Sequence, residues 1–214
     1  MKQNYQKQLD ELITEQGERV PKLLLHSCCA PCSSYVLEYL SQHFSITVFY
    51  YNPNIYPEEE YRKRVKEQQE FIKRLNVKNP VGFLEGKFEP EEFYKTAAGM
   101  ETLPERGERC YYCYRLRLHK TAQIASENGF EYFCSTLSIS PLKNAEWLNE
   151  IGGELETVCG VKWLPSDFKK KEGYKRSVEL SEKYGLYRQD YCGCIFSKKQ
   201  RESEKKKNNT CHGK

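Results

Sequence analysis

The sequence contains no apolar run long enough to cross a bilayer; its longest candidates, 22–26 and 46–51, have only the length of a strand. Hydrophobic residues make up 38% and charged residues 30% of the 214, a polar but globular balance that excludes an integral membrane protein without forcing disorder. The opening stretch MKQNYQKQLDELITEQ is polar and acidic, where a secretory signal would be basic and then apolar. A cytoplasmic location with no membrane partner is therefore expected. No G-x-x-x-x-G-K phosphate loop occurs, so nucleotide hydrolysis is unsupported. No internal repeat occurs either, and the length suits one α/β domain with some peripheral decoration.

What the chain does have is cysteine, ten in all. A reducing compartment keeps thiols out of structural disulfides, so these point to metal or redox chemistry. Seven fall in three clusters: Cys28, Cys29 and Cys32 in C-C-x-x-C, Cys110 and Cys113 in C-x-x-C, and Cys192 and Cys194 in C-G-C. A C-x-x-C turn at a helix start aims two sulfurs the same way, and the helix dipole there favours negative sulfur. Two such pairs suffice for a closed four-thiolate zinc site that only holds the fold. An iron-sulfur cluster also takes four thiolates, and the remaining three would serve another metal or a redox pair. Cysteines one residue apart close only a small, strained disulfide ring. Cys192 and Cys194 are therefore candidates for a thiol-disulfide electron relay, for ligands of a second iron, or for ligands of a structural zinc. Cys134, in an apolar strand, and Cys159, at a helix end, read as packing. Cys211 lies in the tail beside His212, where only a chance position or a weak metal contact is read.

Short β-like runs alternate with longer helical ones, the pattern of parallel strands joined by crossover helices. Leu9, Leu12 and Ile13 stripe an N-terminal helix within 1–20, and Lys22–His26 is a buried first strand that delivers the cysteine loop. A helix over 33–42 and a strand over 46–51 complete a βαβ unit. A helix carrying Tyr61, Val65, Ile72 and Leu75 follows the Asn52-Pro53-Asn54 loop. Further strands are predicted over 81–84, 130–136 and 161–164, and helices over 89–98, 110–128, 144–158 and 173–184. The predicted fold class is α/β, a parallel sheet with flanking helices plus metal-binding helical and C-terminal segments. One domain is expected over 1–196, followed by a basic tail over 197–214. In open sheets of this kind ligands bind where the strands end, here at 27–32, 51–54 and 135–141.

Net charge is +4, and seven basic residues from 198 to 214 against Glu202 and Glu204 hold all of that excess. The tail reads as a frayed helix ending in disorder, a solubilising segment that also raises nonspecific RNA affinity. Two basic stretches in the body, Arg109, Arg115 and Arg117, then Lys169, Lys170, Lys171 and Lys175, are candidates to meet phosphate. Tyrosines among Tyr111, Tyr112 and Tyr114 are candidates to stack on a flipped base. A solvated helix face explains the charges equally well.

Five motifs, taken together, point further. They are His26-Ser27-Cys28-Cys29-Ala30-Pro31-Cys32, Phe49-Tyr50-Tyr51-Asn52-Pro53-Asn54-Ile55, the run from Glu108-Arg109-Cys110 through Cys113 to Arg117, Ser135-Thr136-Leu137 through Ser140-Pro141, and Tyr187 through Asp190-Tyr191-Cys192-Gly193-Cys194. Spread over about 22–196, they resemble the cobalamin-independent epoxyqueuosine reductase QueH family. The resemblance implies an adenine-nucleotide alpha hydrolase-like (HUP-like) fold with the cysteine loop where the ATP loop of those enzymes lies. The S-G-G-x-D-S phosphate loop of those enzymes is absent. It also implies reduction of epoxyqueuosine to queuosine at the tRNA wobble position, the last step of queuosine biosynthesis. Carried over by position, Cys28, Cys29, Cys110 and Cys113 correspond to ligands of a 4Fe-4S cluster, and Cys192 and Cys194 to a redox-active pair or second-iron ligands. Cys32 stands where other members can place an aspartate, an anionic exchange that suits a neighbouring mononuclear iron. The implied partners are tRNA, through its anticodon loop, and an unidentified electron donor; no cobalamin is implied.

Removing an epoxide oxygen to leave an alkene takes two electrons and two protons, and a cluster passes electrons singly, so a second redox element beside it meets a need. Tyr51, Tyr191 and Asp190 fall near the predicted pocket, and His26 reads as a strand-end residue; none is assigned as the acid. Two rivals remain: an iron-sulfur tRNA sulfurtransferase of the PP-loop type, disfavoured by the missing phosphate loop, and a non-catalytic zinc module that binds RNA.

Overall fold

The computed structural model describes residues 3–211, and the side chains of 3–207. The chain begins with α1 (Tyr5–Gln16), whose Leu9 is fully buried against the core. Next comes β1 (Lys22–His26), in which all three leucines and His26 are inaccessible, as a strand flanked on both edges and covered on both faces requires. There follow α2 (Ala30–Leu40), β2 (Ser45–Tyr50), α3 (Glu58–Arg74), β3 (Val81–Glu85), α4 (Pro90–Ala97) and α5 (Glu108–Glu127). The second half contains β4 (Tyr132–Ser135), a 3-10 turn (Thr136–Ile139), α6 (Ala145–Cys159), β5 (Lys162–Trp163), α7 (Gly173–Tyr184) and α8 (Ile195–Cys211). Among the described residues, no helix is long and apolar enough to cross a membrane.

Among the described residues the five strands are all parallel, in the order β3-β2-β1-β4-β5. Leu24 of β1 stands between Thr47 and Phe133. The chain moves outward from β1 to β2 and β3, then returns to the other side of β1. That reversal opens a crevice at the carboxyl ends of β1 and β4, the place where open α/β sheets bind their ligands. Val36, Leu37 and Leu40 of α2 and Leu118, Ala122 and Ala125 of α5 are buried in the same core as β1. Helix α6 lies so close to β5 that a Cβ at Gly152 would come within 2.1 Å of the Trp163 indole, whose Nε1 donates to Asn149 Oδ1 at 3.0 Å.

Element boundaries shift where helix starts matter most. The helix predicted over 33–42 begins three residues earlier, at Ala30, because Pro31 fits a first turn in which no amide partner is needed. Cys29 thereby becomes the cap and Cys32 a first-turn residue. The tail differs too. From Ile195 the backbone is helical through Cys211, its first turn held by Phe196 packed on Phe93 and by buried Ser197. The disordered end expected beyond it falls outside the described residues.

Candidate metal centre

The loop leaving β1 places Cys28, Cys29 and Cys32 so that their three sulfurs lie within 4.8 Å of one another. Neighbouring elements fix it. Gln68 of α3, fully buried, accepts from both the Ser27 and the Ser33 hydroxyl at 2.9 Å. Asn52, in the loop after β2, donates to the Ser27 carbonyl at 2.8 Å, and the Tyr50 hydroxyl donates to that of Cys28 at 3.2 Å. The N-terminus of α2 adds its dipole, which favours negative charge on the sulfurs. Hydrogen bonds accepted from the Cys29 and Cys32 thiols, with Arg117 nearby, hold Cys28 well below the ordinary thiol range. The same contacts push Cys32 up.

His26, at the end of β1, is wholly buried, with Nδ1 2.9 Å from Ser135 Oγ and Nε2 3.2 Å from the Tyr51 carbonyl oxygen. A carbonyl only accepts, so Nε2 carries the proton and the Ser135 hydroxyl donates to Nδ1. Burial, reinforced by Arg117, pushes the imidazole pKa down to about 3. Below pH ~6.5 the unfolded chain binds a proton that the folded one refuses, so stability fully present above pH 6.5 is lost as pH falls toward 3. Urea unfolding should show about 2 kcal/mol less stability from this residue at pH 5 than at pH 7, with the slope flattened in His26→Gln.

The second group of thiols comes from two other helix starts. Cys110 lies in the first turn of α5 with Cys113 one turn on, and Cys194 immediately precedes α8, its sulfur accepting the Ser197 amide at 3.4 Å. Burial raises Cys110 and Cys194 and pushes Cys113 up to about 12. Gly193 between the last two cysteines has φ +117°, and a Cβ there would stand 3.1 Å from Arg64 Nη1 and 3.2 Å from Ile55 Cγ1. Its carbonyl accepts the Tyr56 amide at 2.8 Å, tying the C-G-C segment to the loop after β2. Cys110, Cys113, Cys192 and Cys194 together border one small enclosed space.

A larger cavity of about 160 Å³ opens over the β1/β4 crevice, with Cys28, Cys29, Cys32 and Cys192 in its wall. Cys192 borders both spaces, so the seven thiols form one contiguous region made of a group of three and a group of four. In the cavity wall Lys143, 9% exposed, has its Nζ 3.0 Å from Cys192 Sγ and 3.2 Å from Glu105 Oε1. Burial opposes its charge; the Cys192 sulfur, Tyr114 and Glu105 more than offset that and keep it protonated.

The family model described as epoxyqueuosine reductase QueH matches residues 23–200. The chain belongs to that family. A relative named epoxyqueuosine reductase QueH from Streptococcus pyogenes serotype M1 is 46% identical over 200 residues, covering 92% of this chain and 78% of the relative. One of the same name from Staphylococcus epidermidis is 46% identical over 201 residues, covering 91% and 84%. A third, from Thermotoga maritima, is 36% identical over 181 residues, covering 82% and 89%.

The donor set fits an iron-sulfur centre: soft thiols exceed the four that one zinc takes, and buried cations share their walls. Cys134 is buried in β4, its sulfur donating to the Leu164 carbonyl at 3.4 Å, and Cys159 ends α6; both lie apart from the site. The side chain of Cys211 lies outside the described residues.

Two of the basic residues expected to meet phosphate are buried. Arg109 and Arg117, read as candidates for phosphate, are 2% and 1% exposed and cannot reach an RNA backbone. Arg115 is paired with Glu154, Lys169 with Asp167 at 2.7 Å, Lys171 with Asp10 at 2.7 Å and Lys175 with Glu172 at 3.6 Å. Of the three candidate stacking tyrosines, Tyr114 is buried, Tyr111 packs edge-on against Trp147, and Tyr112 is exposed. Tyr51 is buried, Tyr191 donates to the Tyr56 carbonyl at 3.3 Å, and Asp190 pairs with Lys205. Gln68 and the Lys143–Glu105 pair are not among the residues that the sequence motifs single out. Gln68 falls on the same helical stripe as Tyr61, Val65 and Ile72, which is a usable signal. Nothing in the sequence marks Lys143.

Proposed function

We propose that this chain is a cytoplasmic oxidoreductase that reduces epoxyqueuosine to queuosine at the wobble position of tRNA. The observation that carries this is the family match over 23–200, a span that includes all seven clustered cysteines. Cys28, Cys29, Cys110 and Cys113 are the proposed ligands of a 4Fe-4S cluster. Cys32, Cys192 and Cys194 supply the second redox element, as ligands of a neighbouring iron or, for Cys192 and Cys194, as a dithiol relay. When bound, such a centre supplies electrons and an electrophile for the epoxide oxygen. The reaction breaks both carbon-oxygen bonds of the epoxide, forms a carbon-carbon double bond and releases water, consuming two electrons and two protons. The electrons come from an external donor.

The chain's own residues support the substrate side of this reading. The cavity over the β1/β4 crevice is the size of a small ring and is bordered by thiols of both groups. Lys143 holds a proton at Nζ in its wall. At β1 the place of a glycine-rich phosphate loop is taken by Ser27-Cys28-Cys29, which disfavours the sulfurtransferase reading.

Nucleoside analysis of tRNA from a strain lacking the gene tests the function. Epoxyqueuosine should accumulate in place of queuosine and disappear when the gene is returned; unchanged queuosine would overturn the proposal. Protein purified anaerobically should be brown, with iron and acid-labile sulfide. Colourless protein with stoichiometric zinc would favour the RNA-binding module instead.

A further inference from the structure

Cations buried beside the thiols mostly have partners. Arg64, 1% exposed, pairs with Glu60 at 2.7 Å, and Lys143 pairs with Glu105 at 3.2 Å. Arg109 gives Nη1 to the carbonyl oxygens of Met100 and Glu101 at 2.9 and 3.1 Å. Arg117 combines what the others show singly: like Arg109 it lacks a carboxylate, and like Arg64 it has a nitrogen without an acceptor. It projects from α5 one turn after Cys113, is 1% exposed, and has no carboxylate partner among the described residues. Its Nε donates to the Cys113 carbonyl at 3.2 Å and its Nη1 to Asn52 Oδ1 at 3.4 Å, while the buried Nη2 has no acceptor.

A guanidinium cannot shed its charge at any ordinary pH, and holding one out of water without an anion is strongly unfavourable. The unpaired, buried Nη2 therefore calls for a negative neighbour, and the surroundings of Arg117 define its chemistry. The residue lines the larger cavity with Cys28, Cys29, Cys32 and Cys192, while its Nε rests on the backbone of Cys113, a member of the other thiol group. It thus lies between the two groups. Burial opposes its charge, and the sulfurs of Cys113, Cys192 and Cys28 favour it. At 1% exposure the guanidinium is out of reach of a tRNA phosphate. Asn52 sets the guanidinium in place, since its amide nitrogen is anchored on the Ser27 carbonyl at the root of the cysteine loop.

We infer that Arg117 is the resident countercharge of the thiolate-bound centre, a positioning residue that raises the centre's reduction potential and so eases its loading with electrons. This rests on the function proposed above. A fixed cation in a poorly polarisable site stabilises the more negative, reduced form over the oxidised one. Asn52 and the Cys113 carbonyl are neutral acceptors, so they orient this charge without cancelling it.

The test is an optical redox titration of the anaerobically purified, iron-loaded full chain, without tRNA. In Arg117→Gln the ratio of reduced to oxidised centre at a fixed potential should fall about tenfold, equivalent to about 59 mV for a one-electron couple. Arg117→Lys keeps the charge and should recover most of that shift. A fully loaded Arg117→Gln with the wild-type midpoint overturns the inference, as does a lysine variant shifted as far as the glutamine one. If Arg117→Gln binds no iron, retention of iron in Arg117→Lys supports the charge role, and loss from both overturns it in favour of a role in shape. Wild-type protein lacking iron and sulfide would overturn the cluster reading and this inference with it, whereas a loaded protein with an unshifted midpoint sinks this inference alone.

Discussion

Cys110→Ala should leave the protein without iron or acid-labile sulfide and take epoxyqueuosine reduction below detection. The sulfur of Cys110 lies in the first turn of α5, 9% exposed, where it accepts the Arg106 amide at 3.3 Å, a backbone donor aimed at negative sulfur. Removing one thiolate from a four-thiolate cluster leaves an iron without its protein ligand, and no other described group is positioned by the same helix to replace it except Cys113, itself a proposed ligand. Cys134→Ala is the matched control. Cys134 is fully buried, but its sulfur donates to the Leu164 carbonyl and packs in the core, so iron and turnover should persist, with a stability cost of about 1 kcal/mol. Iron and sulfide analysis beside turnover of epoxyqueuosine-containing tRNA checks both variants. Full iron in Cys110→Ala would remove this cysteine from the ligand set.

How much of this was legible in the sequence depends on the kind of signal. Strand β1 and helix α7 have the bounds that apolar runs and punctuation predict, because Pro21 precedes one and glycines flank the other. The placement of cysteines after β1 and of Ser135 at the end of β4 follows from strand ends alone. The order of the sheet does not: periodicity identifies strands but is silent about which edge the chain joins when it returns from β3. Charge misled for Arg109 and Arg117. Composition marks them as basic surface, yet Cys110, Cys113, Tyr114, Arg117, Leu118 and Thr121 recur at helical spacing and form the buried stripe of α5. Phase outweighs charge there because the same face must carry the thiols inward. The Lys143–Glu105 pair joins residues 38 apart through tertiary packing, and no local pattern encodes it.

Cys194→Ala should keep most of the iron and sulfide but abolish turnover, separating the proposed cluster ligands from the second redox element. Cys194 immediately precedes α8, packed with Phe93, Ala97 and Cys113, and its sulfur is held by the Ser197 amide. Alanine there is smaller and apolar, so the local packing tolerates it, and Gly193 keeps the same backbone and the same close approach to Arg64. What is lost is one of two thiols. A cluster held by Cys28, Cys29, Cys110 and Cys113 survives that loss, whereas a two-electron step that needs Cys192 and Cys194 as a dithiol, or as ligands of a second iron, does not. The geometry makes the experiment decisive, because Cys194 borders the same small space as Cys110, Cys113 and Cys192. If Cys194→Ala loses iron as completely as Cys110→Ala, those four neighbouring thiols hold the cluster, and Cys28, Cys29 and Cys32 become the second site at the cavity wall. If it retains both iron and normal turnover, Cys194 has neither role, and its buried thiol is a packing residue like Cys134.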